Sequence, residues 1–271
     1  MDRNIRTVED VLKLLDDLFT PDADRWTSDA AAWWDTFYAD RSRPVPFFES
    51  KPDENLASYL DRRLITPGRA LDLGCGPGRN ALHLDSLGFQ VDAVDLSPAA
   101  LGWAEERARE TGARIRFHRG DAFALAGTEL HGPYDLIYDS GCFHHLPPHR
   151  RISYLALLDR LLAPGGHFAL TCFTDGEHGG SDLPDAAFYR DARLHGGLAY
   201  TPQSLRRIFA DLTEVELRPM RDEPADSACF GEPFLWTALF RRAAQPGPGA
   251  HALRVPTPGG TAGVRNRWSA G

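Results

Sequence analysis

Cysteine, positive charge and unbroken apolar sequence are all scarce in this chain of 271 residues. Four cysteines occur, Cys75, Cys142, Cys172 and Cys229, and no two have the C-x-x-C spacing of a zinc ribbon. So few thiols in so long a chain exclude a disulfide scaffold and fit a reducing compartment. No apolar run approaches the roughly 18 residues that a membrane span needs. The opening MDRNIRTVED has no apolar stretch of the secretory kind. We therefore expect a cytoplasmic protein with no membrane partner. Lys+Arg number 30 against 38 Asp+Glu, for a formal net charge of −8. No cationic surface dominates that could neutralise phosphates, so nucleic-acid partners are not expected. What remains is ordinary globular composition, 42% hydrophobic and 25% charged, which rules out wholesale disorder and fibrous structure. The length suits one large α/β domain or two small ones.

Strand and helix signals alternate along the middle of the chain. Ala70–Leu73, Val91–Leu96, a run starting at Ile115–Phe117, Tyr134–Tyr138 and His167–Phe173 read as strands. Arg79–Leu87, Pro98–Thr111, Arg150–Leu162 and Thr201–Phe209 read as helices, with Gly88 suited to a C-terminal cap and Pro98 to a first turn. Thr213–Met220 and Phe234–Phe240 read as closing strands. The alternation predicts a Rossmann-like, doubly wound, mainly parallel seven-stranded sheet with helices on both faces. Ligands of such sheets sit beyond the carboxyl ends of the strands. Residues 1–55 form an N-terminal aromatic segment containing Trp26, Trp33, Trp34, Phe37, Tyr38, Phe47 and Phe48. Residues 56–241 form the main domain. Residues 242–271, rich in Gly, Pro and Ala, hold four arginines and no acid, and are expected to be a flexible tail. Residues 174–200 read as a long polar loop.

The chemistry is concentrated in ALDLGCGPGRN, Ala70–Asn80. A strand runs through Asp72 into Gly74-Cys75-Gly76-Pro77-Gly78 and then into a helix. Glycines there allow a tight turn and bring backbone amides close to a ligand. The spacing is G-x-G-x-G rather than the pyrophosphate pattern G-x-G-x-x-G, and no Walker lysine follows. Asp95 ends the next strand, where a carboxylate can accept both ribose hydroxyl hydrogens of an adenosine group, with Leu96 beside it. Asp121, in GDAF, can accept from an adenine amino group. YDLIYDSGCFHHLPP, Tyr134–Pro148, ends its strand at Asp139-Ser140. LLAPGGHFAL, Leu161–Leu170, reads as helix, turn and strand.

These five ordered motifs resemble those of the class I S-adenosylmethionine-dependent methyltransferases. Trp33–Phe48 and Gly196–Phe209 are more loosely similar to small-molecule thiopurine and thiol methyltransferases. The resemblance implies that Asp72 and the loop Gly74–Gly78 hold the methionine part of S-adenosylmethionine. It further implies that Asp95 holds the ribose, and that Leu96, Asp121, Ala122 and Phe123 surround the adenine. Asp139 and Ser140 would lie beneath the methionine part, and Phe143 and His144 would face the transferred methyl group. The expected function is methyl transfer to a small-molecule acceptor, through S or O in preference to N or C, by direct in-line displacement. S-adenosylhomocysteine is the product, and no metal is required. A high-pKa acceptor would need a general base, whereas a thiol would not.

Within that frame, Asp139, His144 and His145 are the catalytic candidates. An imidazole has a suitable pKa for a base, and either histidine could equally orient the acceptor or serve the structure alone. His145 and His149 are four apart, but Pro147 and Pro148 intervene and no third ligand is evident, so a metal site is not expected. Trp34, Tyr38, Arg41, Phe47, Phe143 and Phe173 are the acceptor-binding candidates, with Trp33–Phe48 read as a lid. Asp175, Glu177, His178, Asp182 and Asp185 make residues 174–200 a possible substrate loop. The alternatives are a protein that binds S-adenosylmethionine without methyl transfer, as a regulatory module or a cyclase-like enzyme, and a nicotinamide oxidoreductase. The spacing of the glycines speaks against the last. A monomer or homodimer is expected.

Overall fold

Strands buried on both faces are largely apolar, and the short runs at 70–73, 91–94 and 136–138 are so apart from Asp72 and Asp92. The structure, a computed structural model, describes residues 5–18, 30–176, 180–192 and 196–244. Its sheet has seven strands: β1 (Arg69–Leu73), β2 (Gln90–Asp95), β3 (Arg116–Arg119), β4 (Tyr134–Ser140), β5 (Leu162–Phe173), β6 (Thr213–Pro219) and β7 (Leu235–Arg241). Their order is β3-β2-β1-β4-β5-β7-β6. The β1–β2, β1–β4, β2–β3 and β4–β5 pairings are parallel, while β7 runs antiparallel to both β5 and β6. No helix among the described residues is long and apolar enough to cross a membrane.

The helices are α1 (Val8–Asp16), α2 (Ala30–Ala39), α3 (Glu54–Asp61), α4 (Arg79–Ser86), α5 (Pro98–Thr111), α6 (Ala122–Leu125), α7 (Arg151–Leu161), α8 (Asp185–Asp191) and α9 (Pro202–Ile208). Local chemistry sets their ends. The Ser97 hydroxyl accepts from the Ala100 N–H at 3.0 Å, Pro98 occupies the first turn of α5, and Gly112 closes it in the left-handed region. Alternation along each strand divides the core into two layers. Leu71, Ile137, Phe168 and Phe240 face α7 and α9, where Leu158, Leu205 and Phe209 meet them. Ala70, Leu136, Tyr138 and Leu239 face α3 and α4, through Leu56, Tyr59 and Leu84.

Three regions depart from the sequence reading. Residues 174–200 are not a plain loop. Thr174 bridges to Tyr200 and Ser181 to Leu198, and α8 lies between them with Phe188 buried. Pro184 at its N-cap and only seven residues of helix left little periodic signal. Glu177 and His178 lie outside the described residues, as does Trp26. The boundary at residue 55 falls inside α3, whose Glu54 is buried and paired with Arg218 at 2.6 Å. The expected flexible tail lies outside the described residues apart from 242–244. Arg242 itself is tied down, donating to the carbonyls of Asp159 at 2.6 Å and Leu162 at 2.8 Å at the end of α7.

Candidate functional site

The strand order reverses between β1 and β4, and the loops leaving these two strands part there. A cavity of about 930 Å³ opens at that point. It lies at the upper end of the roughly 300–1,000 Å³ typical of small-molecule sites, so two modest guests fit side by side. One wall is polar and built by the loops after β1, β2 and β3. The other is aromatic and built by α2, the loop after β4, the end of β5 and the β6–β7 connection.

The polar wall begins at the glycine turn. Gly74 and Gly76 have φ of +65° and +51°, and a Cβ on them would stand 2.9 Å from Cys142 Cβ and from the Tyr38 hydroxyl, respectively. The turn therefore needs glycine for both its conformation and its clearance. Cys75 is the small residue between them, also on the wall. Gly78 is not. It caps α4 at φ +79°, and the space a side chain would take there is filled by Ala104.

Asp72 is buried in the floor with Oδ2 unpartnered. Burial pushes its carboxyl up to about 8; Arg79 pulls the other way, while Asp53 and Asp139 add to the rise. A buried carboxylate with a spare oxygen fits an ammonium group. Asp95 accepts from the Gly76 N–H at 2.8 Å and the Ser97 N–H at 2.9 Å, and burial raises its pKa against these bonds. Asp121 caps α6 by accepting from the Phe123 N–H at 2.8 Å, and burial raises it too. Leu96, Asp121, Ala122, Phe123 and Ser140 all reach the cavity. The donors, acceptors and clearances of this wall fit a nucleoside bearing an amino acid.

The aromatic wall carries the histidines. His144 stacks on Phe173 with ring centroids 3.7 Å apart, and its Nε2 lies 3.1 Å from His145 Nε2. His145 meets Trp34 edge-on at 5.0 Å. The His144 carbonyl accepts from the Leu198 N–H at 2.7 Å, so the segment after α8 clamps the turn. Trp34, Tyr38, Phe47 and Phe173 line the cavity. Among the described residues, no group of three or more His, Cys, Asp or Glu side chains could hold a metal ion.

Three expectations are corrected. Asp139 is not on the wall. Its oxygens accept from Tyr154 OH at 2.7 Å, the Cys142 N–H at 2.8 Å and the Phe143 N–H at 3.1 Å, so it braces the turn that carries the histidines. Burial pushes its carboxyl up to about 6 despite these bonds. Phe143 turns into the core, against Tyr154, Tyr200 and Phe209. Arg41 lies outside the cavity, holding Glu106 at 2.5 Å and covering Trp103.

The sequence reading missed Arg79, Asn80 and Phe230. Arg79 is buried, forms an ion pair with Asp53 at 2.5 Å and donates to the Ser140 hydroxyl at 3.0 Å and the Lys51 carbonyl at 3.1 Å, with its guanidinium over Phe230. Asn80 binds Asp53 through both its side-chain oxygen and nitrogen, and Tyr138 OH donates to the same carboxylate. Position was the available signal for Arg79 and Asn80, since the first turn of a helix after a glycine loop faces the loop's guest. Phe230 had none.

A family profile described as a methyltransferase domain matches residues 70–166. A ubiquinone biosynthesis O-methyltransferase of Burkholderia pseudomallei (strain 1710b) is 34% identical over 142 residues, 51% of this chain and 56% of that protein. The chain thus spans just over half the length of that relative. An uncharacterized methyltransferase of Schizosaccharomyces pombe is 31% identical over 105 residues, 39% of this chain and 71% of that protein. Among solved structures, one from work on the conversion of a disulfide bond into a thioacetal group during echinomycin biosynthesis is similar. Its TM-score is 0.62 at 25% identity, over 80% of this chain and 94% of that one. More distant fold neighbours were crystallised with S-adenosylhomocysteine.

Proposed function

The chain belongs to the class I S-adenosylmethionine-dependent methyltransferases, and from that premise we propose that it methylates a small, largely apolar aromatic acceptor on sulfur or oxygen. One observation carries the proposal: a single cavity joins the polar wall, suited to the donor, to the aromatic wall, suited to such an acceptor. The choice of atom is supported by the O-methyltransferase relative and by the sulfur chemistry of the echinomycin protein.

On this reading, Asp72 would hold the donor's ammonium, Asp95 its ribose hydroxyls, and Asp121 with Leu96 and Phe123 its adenine. Asp53 keeps Arg79 aimed at Ser140, which would lie under the methionine part. When bound, S-adenosylmethionine supplies a methyl group on a sulfonium, which the acceptor takes by direct displacement. The chain's own contribution is orientation and exclusion of water. Trp34, Phe47, Phe173 and Phe230 would hold an acceptor ring. The His144–His145 pair would take the proton of a phenol, and one imidazole of the pair must already donate to the other. Trp33–Phe48 would serve as the lid over the donor-binding domain, to which Asp53 and Glu54 already belong through Arg79 and Arg218.

Calorimetric titration with S-adenosylmethionine and S-adenosylhomocysteine, with NADH as control, tests the donor. Binding of the first two alone is expected. Thiols and phenols are then screened for a product heavier by one CH2. Donor binding with no mass gain on any acceptor would instead point to a binding module or a cyclase-like enzyme.

A further inference from the structure

We propose that α2 senses the bound donor through Tyr38, and that Asp35 is the positioning residue that aims it, so that donor binding completes the acceptor site. The proposal rests on the methyltransferase reading above.

Asp35 and Tyr38 are three apart and share one face of α2. Asp35 Oδ1 accepts from the Ser97 hydroxyl at 3.1 Å and from the Ala99 N–H at 2.7 Å. It thereby ties α2 to the first turn of α5, where backbone N–H groups lack helical partners. The Ser97 N–H in turn donates to one oxygen of Asp95, and the other oxygen accepts from the Gly76 N–H. Over that same Gly76 lies the Tyr38 hydroxyl. Both contacts of the α2 face therefore converge on Asp95, the candidate ribose acceptor.

The Tyr38 ring is fixed by stacking on Trp34 and Phe48, with centroids at 5.9 Å and 5.6 Å. Its phenol is buried against Asp95 and Cys75, both of which, after burial itself, disfavour ionisation, so it remains an O–H donor at neutral pH. Within the described residues this hydroxyl forms no hydrogen bond, and it faces the cavity. A polar group of the donor would satisfy it. On the far side of the same helix face, Trp34 abuts His145, and Phe37 stacks on Phe47. A helix fixed by the donor at Tyr38 therefore also fixes the aromatic wall for the acceptor.

Tyr38→Phe keeps the ring and its stacking, and Asp35→Ala removes the acceptor of both bonds at the α5 contact. Both variants are titrated with S-adenosylhomocysteine, and amide exchange over residues 30–39 is followed with and without it. In the unaltered protein the ligand is expected to slow exchange across α2. Tyr38→Phe should bind about three- to tenfold more weakly, the loss of one net hydrogen bond, and both variants should lose the ligand-dependent slowing. Affinity within about twofold of the unaltered protein, with α2 slowed as before, would overturn the proposal. So would weaker binding with the slowing intact, since Tyr38 would then serve only the shape of the pocket. Failure of the unaltered protein to bind would overturn the donor assignment, and this proposal with it.

Discussion

Replacing Asp72 by asparagine should make the free protein more stable while weakening its grip on the donor. The carboxyl is fully buried and its pKa is pushed from 3.8 up to about 8. A folded-state value raised above the unfolded one means that stability is fully present below pH 3.8 and is lost as pH climbs towards 8. Each pH unit climbed costs about 1.4 kcal/mol, so near neutral pH the cost to the free protein has an upper bound of roughly 4 kcal/mol. Local relaxation of a buried group lowers that figure, and half of it leaves about 2 kcal/mol, or roughly 4 to 8 °C in Tm for a chain of this size. The asparagine carbonyl can still accept from the Ala81 N–H that serves the carboxylate. Thermal melts at pH 8 and pH 4 test this: a gain at pH 8 that vanishes at pH 4. Titration with S-adenosylhomocysteine should show about ten- to hundredfold weaker binding, because a charged hydrogen bond to the ammonium is lost. The affinity of the unaltered protein should also fall as pH drops below about 8, since binding must first expel a proton. A variant that melts lower at pH 8, or binds as before, would refute the reasoning.

Gly197 has φ +148°, and a Cβ there would lie 2.8 Å from the Phe173 ring and 3.2 Å from the His144 carbonyl. Gly197→Ala should therefore lower kcat by disturbing the His144–Phe173 stack, with S-adenosylhomocysteine affinity unchanged by calorimetry. His145→Gln should reduce turnover of a phenol by about 10²–10⁴-fold but leave a thiol nearly unaffected. Parallel assays on the two acceptor classes check this, and equal losses on both would show that His145 orients the acceptor instead of taking its proton.

The parts legible in the sequence are those whose function is written in backbone or in spacing. The glycine turn needs positive φ at Gly74 and Gly76, which restricts the residue type, and α5 has the residue limits its proline and capping signals imply. Asp95 and Asp121 were recognisable because the first ends a strand and the second comes two residues after one. What was hidden depends on where side chains turn. Phe143 and His144 are neighbours, yet one enters the core and the other the cavity. A 3-10 turn fans successive side chains in different directions, and no apolar period reveals it. Arg41 reads from sequence as an acceptor-binding residue because its partner Glu106 lies 65 residues away. Phe230 reaches the cavity from the far end of the chain, beyond any local pattern.

The reversal of β7 has a consequence for how the acceptor could be exchanged over evolution. Because β7 opposes its neighbours, β6 runs with β5, and the β6–β7 connection emerges at the same end of the sheet as the glycine turn. A parallel last strand would have required that connection to cross over to the opposite end of the sheet. The hairpin thus offers Phe230 and Phe234 on a loop whose strands, β6 and β7, pair with neither β1 nor β2, which carry Asp72 and Asp95. Apart from Phe230, which packs on Arg79, such a loop can be rewritten in length or in sequence at the margin of the sheet. New acceptors could be tried there while the machinery for the donor stays as it is.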